Sequence, residues 1–160
     1  MMQKIKILAV GKIKERALAD LAGEYSKRLG RYCALETVEL QDESVGARES
    51  GAEIIKHTRA EAGRVMERLK QDAYVIALDM KGRALRSEEF ADTLRALFGL
   101  RPEIAFVVGG SHGLHPDVTA RADFVLSLSN LTFPHQLARV ILLEQIYRAL
   151  KIINNETYHK

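Results

Sequence analysis

Short apolar segments with the length of buried strands alternate with amphipathic helical segments along the whole chain. The apolar or alternating segments predict strands over 4–10, 34–40, 74–78, 104–108 and 124–128. The segments with helical periodicity predict helices over 13–29, 52–70, 87–98, 115–122 and 134–153. Because strands and helices alternate throughout, we predict an α/β fold whose largely parallel sheet is covered by helices on both faces.

Local signals place the ends of several of these elements. A polar stretch around Gly82 predicts a turn over 79–86, and Ser87 is suited to cap the next helix. Pro116 is suited to the first turn of the short fourth helix. The stretch 41–51 is polar and has no periodicity, which predicts a loop.

Length and composition limit the class of protein. A chain of 160 residues is large enough to bury one core, so we expect a single domain over 1–160. The formal net charge of +3 permits a polyanionic partner but implies weak binding to isolated RNA. If the partner is RNA, the sequence therefore favours a shaped target, such as an assembled ribosome, over a bare strand.

The sequence lacks features that are typical of several classes of protein. Cys33 is the one cysteine, which leaves no intramolecular disulfide and fits a reducing compartment. No cysteine and histidine cluster has the spacing of a zinc site, so we expect no metal. No apolar run approaches the roughly 20 residues that span a bilayer, and no targeting segment is evident. We therefore expect a cytoplasmic protein without a membrane partner.

Glycines at the end of the fourth predicted strand form the first candidate ligand site. Gly109 and Gly110 follow the apolar run 104–108, and glycines there allow a ligand to approach the main chain closely. The alternative is a tight turn between strand and helix. The pattern is not G-x-G-x-x-G, and Gly11 alone follows the first strand. An ordinary dinucleotide site or a class I methyltransferase site is therefore disfavoured.

The segment after the fifth predicted strand forms the second candidate site. Residues 128–134 make a short polar turn that ends in a proline, and Thr132 could cap the last helix. A capped helix start accounts for this pattern without a ligand. In a parallel sheet, however, these residues would meet Gly109 and Gly110 at one edge, with Leu78 and Asp79 after the third strand completing three adjacent strand ends.

The last helix and the tail beyond it leave two interpretations open. The apolar stripe of 134–153 is wider than one sheet face requires, which fits either a fully buried core helix or a helix that pairs with its twin in a homodimer. The tail Thr157–Lys160 is aromatic and basic. A tail of this kind either frays in solvent or supplies a stacking ring, an imidazole and a phosphate contact to a site.

The other histidines and Cys33 give weaker signals. His57 lies on a charged helix and is expected to be exposed to solvent. His112 and His115 are expected to shape the glycine turn, and His135 either lines the site or lies on the surface. Cys33 has no neighbour that would activate it and is expected to be a packed thiol.

Taken together, the late motifs resemble those of the RlmH family, the small SPOUT-class methyltransferases of the bacterial ribosome. The resemblance covers essentially the whole chain. It rests on the start Ile-Lys-Ile-Leu-Ala-Val-Gly-Lys (5–12), on Val-Val-Gly-Gly-Ser-His-Gly-Leu (107–114), on Leu-Ser-Leu-Ser-Asn-Leu-Thr-Phe-Pro-His-Gln-Leu-Ala-Arg-Val (126–140), on Glu-Gln-Ile-Tyr-Arg-Ala (144–149) and on the final Tyr-His-Lys (158–160).

This resemblance implies properties that periodicity and spacing do not show. It implies a SPOUT-type sheet with a C-terminal deep trefoil knot, a homodimer, and S-adenosylmethionine as the methyl donor. The implied acceptor is N3 of a pseudouridine in 23S rRNA, within the ribosome. The implied cofactor residues lie at the three strand ends and comprise Leu78, Gly109, Gly110, Leu128, Ser129, Asn130, Leu131, Thr132 and Phe133.

The tail motif and the chemistry of N3 methylation together suggest three catalytic residues. The N3–H group of pseudouridine is a weakly acidic imide, so its methylation requires proton removal and stabilisation of negative charge. We expect His159 to act as the base or an orienting group, Arg148 to stabilise the developing anion, and Tyr158 to stack on or position the base. The alternatives are a SPOUT methyltransferase of another RNA nucleotide, and a non-catalytic module that binds RNA or a nucleotide.

Overall fold

The computed structural model describes residues 1–43, 46 and 48–160, and it alternates strands and helices throughout. Part of the predicted loop 41–51 lies outside the described residues, namely positions 44, 45 and 47. The elements follow in the order β1 (Lys4–Val10), α1 (Arg16–Leu29), β2 (Ala34–Leu40), α2 (Gly51–Arg68), β3 (Tyr74–Ala84), α3 (Ser87–Leu97), β4 (Glu103–Val108), α4 (Pro116–Arg121), β5 (Phe124–Ser127) and α5 (His135–Ile153).

The strands form one sheet in the order β2-β1-β4-β3-β5, and every neighbouring pair is parallel. Alternate side chains of β1 enter two different cores. Ile5 and Ile7 face the core that includes α3 and α5, whereas Leu8 and Val10 face the core that includes α2 and α4. The predicted α/β fold, a parallel sheet covered on both faces, is therefore confirmed.

Strand β3 is longer than predicted, and the turn predicted over 79–86 is wrong. The strand continues to Ala84, and after a register shift between Leu78 and Arg83 it pairs with β5 again. Gly82 permits this because a Cβ there would lie 2.6 Å from the carbonyl oxygen of Val125. A side chain at this position would force the two strands apart.

Two predicted helix caps are also wrong. Ser87 is the first residue of α3, and its N-cap is Arg86, whose N–H donates to Glu89. Helix α5 begins at His135 after Pro134 and has no side-chain cap, because the Thr132 hydroxyl contacts Met80 Sδ instead. The prediction that Pro116 occupies the first turn of α4 is confirmed.

Helix α5 is enclosed along its length. Each of its residues, all of which the structure describes, is buried or half-buried, and it packs against both α1 and α3. The fully buried members include Leu142, Ile146 and Leu150. Its buried residues belong to the core, but the others are half-buried, so a fully buried helix is not confirmed, and pairing with a twin helix stays a prediction. Within the described part of the chain, no helix combines the length and apolar character that crossing a membrane requires.

Candidate functional site

A cavity of about 430 Å³ opens at the carboxyl ends of β4, β3 and β5. This is the edge at which open α/β sheets bind ligands, and the volume lies in the usual range for small-molecule sites. All of the predicted cofactor residues except Asn130 line it, namely Leu78, Gly109, Gly110, Leu128, Ser129, Leu131, Thr132 and Phe133. The three strand ends that the sequence placed together are thus adjacent in space.

Serine hydroxyls hold the segment that follows β5 in a tight turn. The Ser127 hydroxyl donates to the carbonyl of Ser129 at 3.0 Å, and the Ser129 hydroxyl accepts from the N–H of Leu131 at 3.0 Å. The Leu131 side chain is 73% exposed although it borders the cavity. The turn therefore offers an apolar rim that an incoming ligand could cover.

The glycine turn after β4 is required by its own packing. The N–H of Gly113 donates to the carbonyl of Gly110, and Gly113 has a φ of +75°. A Cβ on Gly109 would lie 2.6 Å from the carbonyl carbon of Gly113, so any side chain there would break the turn. A Cβ on Gly110 would instead lie 3.2 Å from Val10 Cγ1, and Val10 does not line the cavity. Close backbone packing therefore requires a glycine at 109, whereas Gly110 meets a side chain, and the role of both glycines in ligand binding stays a prediction.

The charge of the cavity is low. Among the described residues that line it there is no lysine or arginine, and the ionisable ones are Asp79 and His135. The Asp79 carboxylate accepts a hydrogen bond from the N–H of Lys81 at 2.8 Å. A cavity without cations is poorly suited to phosphate groups but can hold an adenosyl group or a cationic sulfonium. No cluster that could hold a metal ion occurs in the described ranges.

The tail is packed against α5. The centre of the Tyr158 ring lies 4.9 Å from the centre of the Tyr147 ring and 4.8 Å from Cζ of the Arg148 guanidinium. Its hydroxyl donates to Glu144 at 3.0 Å. Burial, together with hydrogen bonds to Tyr25 and Glu144, raises the pKa of Tyr158 far above its ordinary value. The phenol therefore remains neutral and serves as a ring and a donor.

Arg148 and His159 are in direct contact, and their catalytic roles stay predictions. Arg148 donates to Glu144 Oε1 at 2.6 Å, and its second amino group lies 3.3 Å from His159 Nδ1. Since arginine can only donate, this contact requires an unprotonated Nδ1, and Nε2–H then donates to Glu88 at 3.0 Å. Hydrogen bonds from its own backbone N–H and from His159 lower the pKa of the Glu88 carboxyl.

The tail residues and the cavity are separate within one chain. Tyr158, Arg148 and His159 do not line the cavity, in the part of the chain that the structure describes. His135, which does line it, stands at the start of α5, and Arg148 follows 13 residues later. At 1.5 Å per residue the two positions are about 20 Å apart along the helix.

The structure also places the remaining histidines. His57 is not freely exposed as expected, because it lies 3.0 Å from Glu49, and His112 lies 3.0 Å from the other oxygen of the same carboxylate. His115 caps α4 by accepting the N–H of Asp117. Sequence reasoning missed Glu49, which lies in the aperiodic stretch before α2 and gave no periodic signal. Cys33 is buried, as expected of a packed thiol, and burial raises its pKa to about 12.

Comparison with known proteins agrees with this architecture. The family described as "Predicted SPOUT methyltransferase" matches residues 2–159. The chain therefore belongs to the SPOUT methyltransferase family, in the group that includes the ribosomal RNA large subunit methyltransferase H proteins. The resemblance inferred from the late motifs is thus confirmed.

Individual relatives match over nearly their whole length. The chain is 48% identical to "Ribosomal RNA large subunit methyltransferase H" of Acetivibrio thermocellus, covering 98% of this chain and 99% of the relative. The protein of the same name from Clostridium beijerinckii is 50% identical with the same coverage. A solved structure, "The structure of a probable methylase family protein from Haemophilus influenzae Rd KW20", matches 100% of this chain and 72% of its own with a TM-score of 0.56. Its identity is 17%, so it supports the fold alone.

Proposed function

We propose that this protein, acting as one domain over 1–160, transfers a methyl group from S-adenosylmethionine to N3 of a pseudouridine in 23S rRNA. The observation that carries the proposal is the cation-free cavity at the ends of β3, β4 and β5, lined by Leu78, by Gly109 and Gly110, and by most of the segment 128–133. The relatives support an RNA acceptor, because they are named as ribosomal RNA large subunit methyltransferases. Such a protein would act in the cytoplasm, on ribosomes.

The cavity suits the donor by its shape and low charge. Leu78, Leu128 and Phe133 supply apolar surface for an adenine ring, and main-chain groups of the two turns can accept or donate hydrogen bonds at its edge. The bound donor supplies an electrophilic methyl group on a sulfonium. The rigid turns around Gly109 and Ser129 would fix its direction, since methyl transfer depends on in-line positioning.

The tail supplies the acid–base chemistry. As N3 forms its bond to the methyl carbon, the carbon–sulfur bond breaks, and the N3 proton must leave. His159 would accept that proton or orient the imide, once RNA displaces the Arg148 contact from Nδ1. Arg148 would stabilise negative charge on the flanking carbonyl groups, and the neutral Tyr158 ring would stack on the base.

Separation of tail and cavity within one chain supports a homodimer. Because the two lie about 20 Å apart along α5, the tail of one subunit would complete the cavity of the other if two α5 helices ran antiparallel. The proposal includes the deep trefoil knot, with the C-terminal helix threaded through a loop, that the family resemblance implies. Among proteins such knots are rare exceptions to ordinary chain connections.

A ligand-binding experiment tests the proposed donor. Calorimetry should show that the purified protein binds S-adenosylmethionine and its demethylated product, and that it binds ATP far more weakly, because the cavity offers no cation to a phosphate. Equal or tighter binding of ATP would contradict the proposal and favour a nucleotide-binding module. Absence of binding to both methyl-donor ligands would contradict it outright.

A further inference from the structure

The part of β3 that extends past its pairing with β4 carries three exposed cations. β3 pairs with β4 only as far as Ala77, whereas the strand runs on to Ala84. Lys81 and Arg83 are exposed on this extension, and Arg86 is exposed directly after it. We name Lys81, Arg83 and Arg86 the basic ridge.

The ridge cations are available to a ligand. Within the described ranges, none of the three side chains takes part in an ion pair or a side-chain hydrogen bond to another side chain. The nearby carboxylates contact backbone groups of the segment and not the ridge side chains, since Asp79 accepts from the N–H of Lys81 and Glu89 accepts from the N–H of Arg86. Glu88 is held by His159. The three cationic side chains are thus free to contact a phosphate, and Asp79, Glu88 and Glu89 of the same segment reduce its net charge.

The ridge is held firmly against the sheet. Arg83 and Ala84 pair with Leu126 and Ser127 of β5, and Gly82 lies so close to the backbone of Val125 that no side chain would fit. Helix α3 begins immediately after the ridge, at Ser87. A segment anchored at both ends loses little conformational entropy when it binds, which favours its use as a docking surface.

The ridge lies between the cavity and the tail of the same chain. At one end, Met80 lines the cavity and touches the Thr132 hydroxyl at 3.3 Å from Sδ. At the other end, Glu88 contacts His159 of the tail. The cavity itself carries no lysine or arginine among the described residues that line it, so the phosphates beside an acceptor base must be held elsewhere.

From these contacts we infer that the basic ridge binds the phosphate backbone of the RNA that presents the acceptor base. The inference rests on the proposed function, because it gives that function's RNA substrate its docking surface. Lysine and arginine side chains that contact phosphates position an RNA without reading its sequence. A chain with a formal charge of only +3 can act on RNA in this way, because three cations that form no ion pair among the described residues lie beside the cavity.

The test is the triple variant Lys81→Gln, Arg83→Gln and Arg86→Gln, assayed on ribosomes from a strain that lacks this methyltransferase. We expect KM for ribosomes to rise about tenfold or more, and the slope of log affinity against log salt to fall by about two to three. Binding of S-adenosylmethionine should be unchanged, which also shows that the variant folds. A second variant, Lys81→Arg, Arg83→Lys and Arg86→Lys, keeps the charges and should retain the wild-type salt slope.

The matched control removes three positive charges from α2, none of whose described residues lines the cavity. Lys56, Arg59 and Arg68 are exposed on α2, and replacing them with Gln changes the net charge by the same amount. An equal effect of both triple variants would contradict the proposal that the ridge binds RNA, because loss of positive charge at any site would then explain the result. An unchanged KM and salt slope in the ridge variant would also contradict the proposal that the ridge binds RNA. That result would not contradict the proposed methyltransferase function. A wild-type chain that neither binds the donor nor methylates ribosomes would overturn the proposed function and the ridge together.

Discussion

Removal of Tyr158, His159 and Lys160 is expected to abolish methyl transfer and to leave the affinity for S-adenosylmethionine nearly unchanged. The deletion removes the proposed base and stacking ring, and general acid–base groups contribute about 100- to 10,000-fold to rates. In the described structure of the single chain, none of the deleted residues lines the cavity, so the donor should still bind. Single-turnover kinetics with ribosomes and calorimetry with the donor measure the two effects separately.

A matched control for the deletion is Lys160→Gln. Lys160 is exposed and its side chain forms no ion pair with any residue that the structure describes, so this variant should stay close to wild type. A deleted chain that turns over normally would exclude the tail from catalysis. A deleted chain that loses donor binding would place the tail inside the cavity.

Substitution of Gly109 by Ala is expected to weaken donor binding by about ten- to a hundredfold. A Cβ at this position would lie 2.6 Å from the carbonyl carbon of Gly113, and backbone atoms cannot rotate away. Overpacking of this kind costs about 1–3 kcal/mol, and it would move the turn that forms one wall of the cavity. Calorimetry and thermal unfolding with and without the donor measure the change.

Gly110→Ala is the matched control for this substitution. Its Cβ would meet Val10 Cγ1 at 3.2 Å, a side-chain contact that can give by a few tenths of an ångström. We expect a clearly smaller loss of affinity than at Gly109. Equal losses at the two positions, or normal binding by Gly109→Ala, would contradict the role of the glycine turn.

The deletion and the Gly109→Ala variant together also test the proposed sharing of sites between subunits. Chains that lack 158–160 and chains that carry Gly109→Ala can be co-expressed with different tags and purified as mixed dimers. A mixed dimer has one intact cavity and one intact tail, on different chains. The donor concentration is chosen to saturate the intact cavity but not the Gly109→Ala cavity. If the tail of one subunit completes the cavity of the other, the mixed dimer should then be active, whereas dimers of either variant alone are not. If each active site is formed by a single chain, the mixed dimer should be inactive.

Local sequence patterns predicted the bounds of two strands, β1 and β2, correctly. The bounds of Lys4–Val10 and Ala34–Leu40 match the prediction, because a run of apolar or alternating residues between polar and glycine positions has one obvious extent. The adjacency of Gly109 and Leu128 at one sheet edge also followed from the parallel sheet. Those inferences needed only periodicity and the general topology of α/β folds.

Contacts between segments that are far apart in the sequence could not be predicted from local patterns. The stretch around Gly82 resembles a turn, and only its packing against Val125 makes it a strand. Thr132 resembles a helix cap, yet its hydroxyl reaches Met80 across the cavity rim. The pairing of His159 with Glu88 joins residues 71 positions apart, and no local pattern encodes it. The basic ridge was hidden for the same reason, because its cations lie in the stretch predicted to be a turn.

Mapping of the methyl group on ribosomal RNA would identify the nucleotide and the atom that this protein methylates. Ribosomes from a strain that lacks this methyltransferase would be incubated with the protein and isotope-labelled S-adenosylmethionine, and the digested RNA analysed by mass spectrometry. We expect one labelled methyl group, on N3 of a pseudouridine in 23S rRNA. A label on another base or on a ribose, or no label despite donor binding, would contradict it.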